Sequence, residues 1–376
     1  MKVAFLAGQN SIHTVRWVNA MVERVSELHL LTMHQPSDPI DSRVKIYDLP
    51  HKAPQGYFLN QKHVQKLLAE IQPDLLHVHY ASGYGTLGRL SEYHPLLLSV
   101  WGSDVYDFPA TSFLHRALVS QNLRQADWVA STSEVMARQT ESLCPDITYL
   151  SITPFGIDTA QFCPQPQQDP NYITIGTVKK LAPKYGIDIL IKAFAQARTQ
   201  IIAKSPDLEQ KLRLTIVGDG EQLTELKTLT KELHIDHVTE FVGAVPHEQV
   251  PNYLNQMDIY VAASRLDSES FGVAVLEASA CSLPVVVSDV GGLPEVVQDG
   301  VTGYIIPKEN VAATAEAIVE LVHNSDMRHN LGLAGRQLVL KRYAWDENVS
   351  LMYQIYNQLL ETRSDMIIAT DTITAE

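Results

Sequence analysis

Short, continuous apolar runs recur along this chain of 376 residues, and amphipathic stretches lie between them. That alternation constrains the fold more than any other feature. A strand that is apolar throughout has to be covered on both faces, and a parallel sheet with crossover helices covers it. The pattern predicts strands at 2–7, 28–33, 44–49, 75–79, 96–100, 128–131 and 148–151, with helices at 14–28, 60–71, 112–125 and 133–143. The stretch from Pro154 to Pro170 reads as a linker, because its clustered prolines can continue neither a helix nor a central strand. The alternation restarts at Tyr172. Strands are expected at 172–178, 212–217, 238–242, 258–263, 284–287 and near Tyr304, with helices at 186–204, 221–233 and 248–256. From Val311 to about Glu361 the pattern is helical, and the polar end is expected to fray. The fold class is therefore α/β: two doubly wound, Rossmann-like domains over 1–165 and 170–344, a helix over about 345–362, and a flexible tail over 363–376.

Composition excludes several classes. A hydrophobic share of 45% is enough for two cores, and a net charge of −14 argues against general nucleic-acid binding. Cys144, Cys163 and Cys281 lack metal or disulfide spacing, which fits a reducing, cytoplasmic setting. Met1 to Ala7 reads as a first strand, not a secretion signal, and no apolar run approaches the ~20 residues of a membrane span.

Chemistry concentrates around Glu269-Ser-Phe-Gly-Val-Ala-Val-Leu-Glu277, between two predicted strands. A helix that starts near Phe271 and Gly272 would offer unpaired N–H groups and a positive dipole end to a phosphate. Glu269 would precede that turn. Glu277 would stand about two turns inside, roughly 12 Å further along the axis. One carboxylate can then face whatever lies beyond the phosphates, and the other a ribose behind them. Elsewhere, Gly8 ends the first strand and lets backbone approach a ligand closely. Asp104 follows the fifth strand, where ligands of doubly wound domains sit, and is well placed to meet one. His77 and His79 share one face of a strand beside Tyr80, Ser82 and Gly83, and could line an acceptor cleft. No third ligand accompanies them, so no metal is expected.

The segment Arg265 to Val297 resembles the signature of the retaining glycosyltransferases of family GT4, which have the GT-B fold. Lys179 falls where the family carries Arg, and Lys184 where it carries Lys. The resemblance implies that both lysines neutralise a departing diphosphate. It also implies that the N–H groups of Phe271, Gly272 and Val273 hold that diphosphate, that Gly218 borders the nucleotide base, that Glu277 binds ribose, and that Glu269 faces the sugar. The loop at Gly8 would lie under the donor phosphates and beside the acceptor, with His13 and Arg16 near. The expected catalytic residues are Glu269, Lys179, Lys184 and Asp104, and the expected donor-binding residues are Gly8, Gly218, Phe271, Gly272, Val273 and Glu277. The final helix would cross back onto the first domain. The implied reaction moves a hexose from a nucleotide-diphosphate sugar, UDP being the expected carrier, to a glycan or lipid-linked hydroxyl acceptor. No metal, separate cofactor or nucleic acid is expected to take part, and the expected location is the cytoplasm, with peripheral association at the inner membrane face allowed. Trp101 stands where many members have His, and Phe155 where Asn is usual. A sugar-nucleotide epimerase of the same fold and a non-catalytic nucleotide-sugar binder are the alternatives.

Overall fold

The structure, a computed structural model, describes residues 1–166, 169 and 171–373. The chain forms two compact units: Met1–Pro154 with the residues from Glu347 onward, and Phe155–Asp346.

The first unit is built on a sheet of seven strands: β1 (Lys2–Leu6), β2 (Glu27–Thr32), β3 (Lys45–Asp48), β4 (Leu75–His79), β5 (Leu96–Val100), β6 (Trp128–Ser131) and β7 (Leu150–Ile152). Their order is β3-β2-β1-β4-β5-β6-β7 and every pairing is parallel. β4 and β5 are buried along their whole length, as continuous apolar strands require. The helix Gly83–Ser91 escaped the sequence reading because three glycines break its apolar stripe. Those glycines let it press onto β4: a Cβ at Gly88 would lie 2.9 Å from Val78 Cγ2.

The second unit repeats the plan with β8 (Ile173–Val178), β9 (Leu212–Val217), β10 (Thr239–Gly243), β11 (Ile259–Ala262), β12 (Val285–Ser288) and β13 (Gly303–Ile306). The order is β10-β9-β8-β11-β12-β13, again parallel throughout. Leu212, Leu214 and Ile216 alternate with partly exposed Arg213 and Thr215, and join Ile187, Leu190, Ile191 and Phe194 of the helix Ile187–Lys204 in one core. In each sheet the strand order reverses at one place, β1 beside β4 and β8 beside β11. A crevice opens at the carboxyl ends of such neighbours.

Two expectations at domain edges are corrected. The segment after Pro154 is packed into the second unit, not strung out as a linker. Ile157 N–H donates to Tyr343 O (2.7 Å), Phe162 is buried, and Gln165 N–H donates to Asn255 Oδ1 (2.7 Å). Residues 167, 168 and 170 of that stretch lie outside the described residues. The expected tail is helical as well. One helix, Trp345–Ile373, continues through it, since no proline or glycine follows to stop it, and residues 374–376 lie outside the described residues.

That helix buries Val349, Met352, Ile355, Tyr356 and Leu359, spaced as one helical face. Tyr356 Oη is hydrogen-bonded to His77 Nδ1 (2.6 Å), and His77 Nε2 to Ser99 Oγ (2.7 Å). His77 is therefore a core residue, not a cleft lining. Burial pushes it down to about 3, and burial, then His77, then His13 hold His79 well below the usual histidine range. An unfolded histidine titrates near 6.5, so below that pH the unfolded chain gains protons that the folded chain refuses. Stability should thus fall between about pH 6.5 and 4, by up to about 1.4 kcal/mol per pH unit for each such histidine. Urea unfolding of His77→Gln at pH 7 and pH 5 should show a less stable protein with a shallower acid loss. A loss as steep as that of the wild type would remove His77 from the acid response.

Candidate functional site

The candidate residues of the second unit collect at the carboxyl ends of β8 and β11, which pair through Ile175 with Ile259 and Gly176 with Tyr260. Lys179 follows β8, and Ser264, Arg265 and Glu269 follow β11. Beyond Lys179 the chain makes a 3₁₀ turn, Pro183–Tyr185, closed by Gly186 at φ +62°. A Cβ there would sit 1.9 Å from Ala263 O, so only glycine lets this loop lie on the end of β11.

Arg265 fastens the turn. Its N–H donates to Lys184 O (2.8 Å) and its guanidinium to Pro183 O (2.8 Å), Asp188 Oδ2 (2.8 Å) and Glu309 Oε1 (3.0 Å). Burial pushes the Asp188 carboxyl up, but Arg265 and Lys192 pull it further down, and it ends below the usual carboxylate range.

Lys179 Nζ donates to Glu269 Oε1 at 2.9 Å, and the two side chains are only 15% and 10% exposed. Desolvation lowers the lysine's pKa, but the Glu269 carboxylate and the hydroxyls of Tyr260 and Tyr185 outweigh it, so the ammonium titrates above the ordinary range and stays charged. Lys179 Nζ lies 4.8 Å, and Lys184 Nζ 4.9 Å, from the centroid of Tyr185. One aromatic ring thus carries two ammonium groups. The structure brings the two expected lysines to one ring, and Tyr185 was not singled out from the sequence because an aromatic beside a lysine is unremarkable until the turn folds.

The helix after Glu269 runs over Val273–Ala280. Gly272 caps it at φ +88°, and a Cβ there would lie 2.7 Å from Leu293 Cδ2. Among the described residues nothing accepts the N–H groups of Gly272, Val273 and Ala274. Because the helix begins at Val273, Glu277 stands about one turn inside it, roughly 6 Å, not the two turns expected. The Phe271 ring packs on Phe155 and Tyr343 (centroids 6.0 and 5.9 Å), which leaves its backbone as the part available to a ligand. Gly292 N–H donates to Glu269 O (2.9 Å), so the Gly291-Gly292 turn props up the loop that carries Glu269.

Glu277 is buried, and its Oε1 accepts from His247 Nε2 at 2.7 Å. His247 opens the 3₁₀ turn His247–Gln249 after β10, and sequence reasoning did not single it out. Gly218, at φ +139°, lies directly against Lys179: a Cβ would fall 1.9 Å from Lys179 O. A hollow of about 420 Å³ elsewhere in this unit, lined by Thr174, Arg213, Thr239 and Glu240, sits at the opposite ends of the strands and contains none of these residues.

Gly8 and Asp104 belong to the first unit. Gly8 lines a cavity of about 230 Å³ with Ser11, His34, Tyr57, Tyr80 and Tyr84 at the carboxyl ends of β1, β2 and β4. Asp104 is not free to accept a substrate hydroxyl. It is 1% exposed and takes the N–H groups of Ala81 (2.8 Å), Trp101 (3.1 Å) and Gly102 (2.9 Å), so it ties two loops together. Trp101 packs on His79 (centroids 4.4 Å), and His13, inside the helix Ile12–Met21, meets the same indole at 5.9 Å. Among the described residues no group of three or more His, Cys, Asp or Glu is placed to hold a metal ion, and no helix is long and apolar enough to cross a membrane.

Residues 159–338 match the family described as Glycosyl transferases group 1, and residues 2–133 match the one described as Glycosyl transferase 4-like. The chain is 27% identical to an uncharacterized glycosyltransferase, MJ1178, of Methanocaldococcus jannaschii, over 91% of this chain and 93% of that one. It is 31% identical to the GDP-mannose-dependent alpha-(1-6)-phosphatidylinositol monomannoside mannosyltransferase of Mycobacterium tuberculosis, over 52% of this chain and about half (53%) of that one. The crystal structure of Anabaena HepE in complex with UDP and glucose has the same fold at a TM-score of 0.76 and 16% identity, covering 95% of this chain and all of that one. With two parallel Rossmann-like sheets, the GT-B arrangement of its structural neighbours, and family matches along both units, the chain belongs to the GT4 family of glycosyltransferases.

Proposed function

We propose that this glycosyltransferase is a retaining enzyme that moves a hexose from UDP to a hydroxyl of a glycan or lipid-linked acceptor, without a divalent metal. The observation that carries the reading is the Lys179–Glu269 pair, at 2.9 Å, beside a helix start whose N–H groups are unbonded. A diphosphate seated there meets two ammonium groups and several amide hydrogens, so fixed protein charge does the work a metal ion would otherwise do. Gly218 gives close backbone approach, and Glu277 accepts the ribose hydroxyls. Glu269, released by the phosphate's claim on Lys179, faces the sugar and steadies positive charge on its ring. The bond between C1 and the phosphate oxygen breaks. The acceptor oxygen bonds to C1 on the same face, and its proton passes to the departing phosphate oxygen. The cavity beside Gly8 is proposed to receive the acceptor.

UDP is supported by the HepE structure, which holds UDP, whereas the mycobacterial relative is named for GDP-mannose. Calorimetry with UDP and with GDP in the presence of EDTA separates the two. UDP should bind, and at about 100 times its Kd should stabilise the fold by about 2.7 kcal/mol. Binding only after Mg²⁺ or Mn²⁺ is added would overturn the metal-free site, and binding of GDP alone would replace the carrier.

Lys184→Ala and Glu277→Ala should each lower transfer by about 10²-fold or more while the circular dichroism spectrum stays that of the wild type. A folded variant with wild-type rates would take its residue out of the reaction. NMR of the product formed from an α-linked donor should show an α linkage. A β linkage would refute retention.

A further inference from the structure

We infer that His247 is a positioning residue for the donor's ribose, an inference that rests on the proposed role of Glu277. A buried ionised carboxylate is costly unless its oxygens are hydrogen-bonded. Glu277 is 5% exposed and lies in the Val273–Ala280 helix, which fixes its Cα but leaves its side-chain torsions to be settled by contacts. His247 supplies the contact. Its Nε2–H donates to Oε1 at 2.7 Å, whereas Oε2 takes no hydrogen bond among the described residues. One oxygen is held, and the other is left to accept.

The donor is itself held in place. The His247 ring packs against Phe162, centroids 5.3 Å apart, and Phe162 is 1% exposed. The imidazole therefore leans on a fixed wall at one side and is open at the other, its side chain 32% exposed. Among the described residues no other side chain is hydrogen-bonded to the Glu277 carboxylate. Cys281 also lies near Glu277, but burial pushes its thiol up to about 12, so it brings no charge, and only its backbone N–H bonds to Glu277, at the carbonyl O (3.2 Å). Tyr260 directs its hydroxyl to Val178 O (3.2 Å).

A glutamate that must choose its rotamer on binding loses side-chain entropy at that moment. One already pinned at Oε1 presents Oε2 to the vicinal hydroxyls of a ribose without that loss. His247 touches neither the sugar nor the phosphates in this scheme, so it acts on donor affinity and not on the bond-breaking step.

The test measures affinity for UDP and for 2′-deoxy-UDP in wild type, His247→Ala and His247→Gln. Wild type should prefer UDP by about tenfold or more, the range for a hydrogen bond to a charged group. His247→Ala should lose about that factor for UDP and little for 2′-deoxy-UDP, so the discrimination collapses. Glutamine can place an amide N–H within similar reach and should restore most of the preference. With a UDP-sugar, the alanine variant should raise donor KM and keep kcat. Discrimination retained in His247→Ala, both nucleotides weakened equally, or no rescue by glutamine would each overturn the inference. A wild type that binds neither UDP nor GDP would instead overturn the donor site, and this inference with it. A wild type that binds GDP alone is compared in the same way with 2′-deoxy-GDP.

Discussion

A largely buried ion pair at the meeting of two strand ends is the interaction around which the loops of the second unit's site are arranged. Lys179 and Glu269 are 90 positions apart in the chain, and only the pairing of β8 with β11 brings them to 2.9 Å. Neither charge is tolerable alone in so enclosed a place, since removing one partner leaves the other poorly solvated. The pair therefore obliges the surrounding loops to hold still. Gly186 lies on Ala263, Gly218 lies on Lys179, and Arg265 reaches back to the Lys184 turn by two hydrogen bonds and to Asp188 and Glu309 by one each. These contacts are ones that a flexible loop would not keep.

Most of the fold was legible because burial on both faces writes a strand into the sequence as an unbroken apolar run. β4, β5, β6 and β9 lie where the pattern puts them. What was illegible depends on contacts between distant parts of the chain. Gly83, Gly85 and Gly88 look like breakers, and only the closeness of the Tyr57 ring, Tyr80 O and Val78 explains why a helix needs them. The segment after Pro154 reads as a linker from composition, and it is the hydrogen bonds to Tyr343 and Asn255 that fold it inward.

The site divides in the same way. Lys179 and Lys184 stood out because they fall at the cationic positions of the family pattern, and Glu269 and Glu277 because they bracket a predicted helix start between two strands. Tyr185, Arg265 and His247 carry no such signal: a tyrosine in a turn, an arginine after a strand and a histidine in a loop are ordinary residues. Their importance lies in what they hold. Asp104 shows the opposite error. Strand-end logic located it correctly but said nothing of the three N–H groups that already occupy its oxygens.

The overall charge sharpens the case for a local solution. A protein of net charge −14 repels a diphosphate at long range. At physiological ionic strength that field fades beyond about 8 Å, so the nearest few charges decide whether the ligand stays. Lys179 and Lys184 share one ring and so lie within about 10 Å of each other. They are close enough to act on the same pair of phosphates, and their mutual repulsion is eased by the face of Tyr185. Glu269 tempers Lys179 until a group with more negative charge arrives. In the proposed reaction a diphosphate, which carries more charge than one carboxylate, takes the lysine over and leaves the displaced carboxylate next to the sugar it brings. The ion pair that joins the two strand ends is thus the one whose exchange would start the proposed reaction.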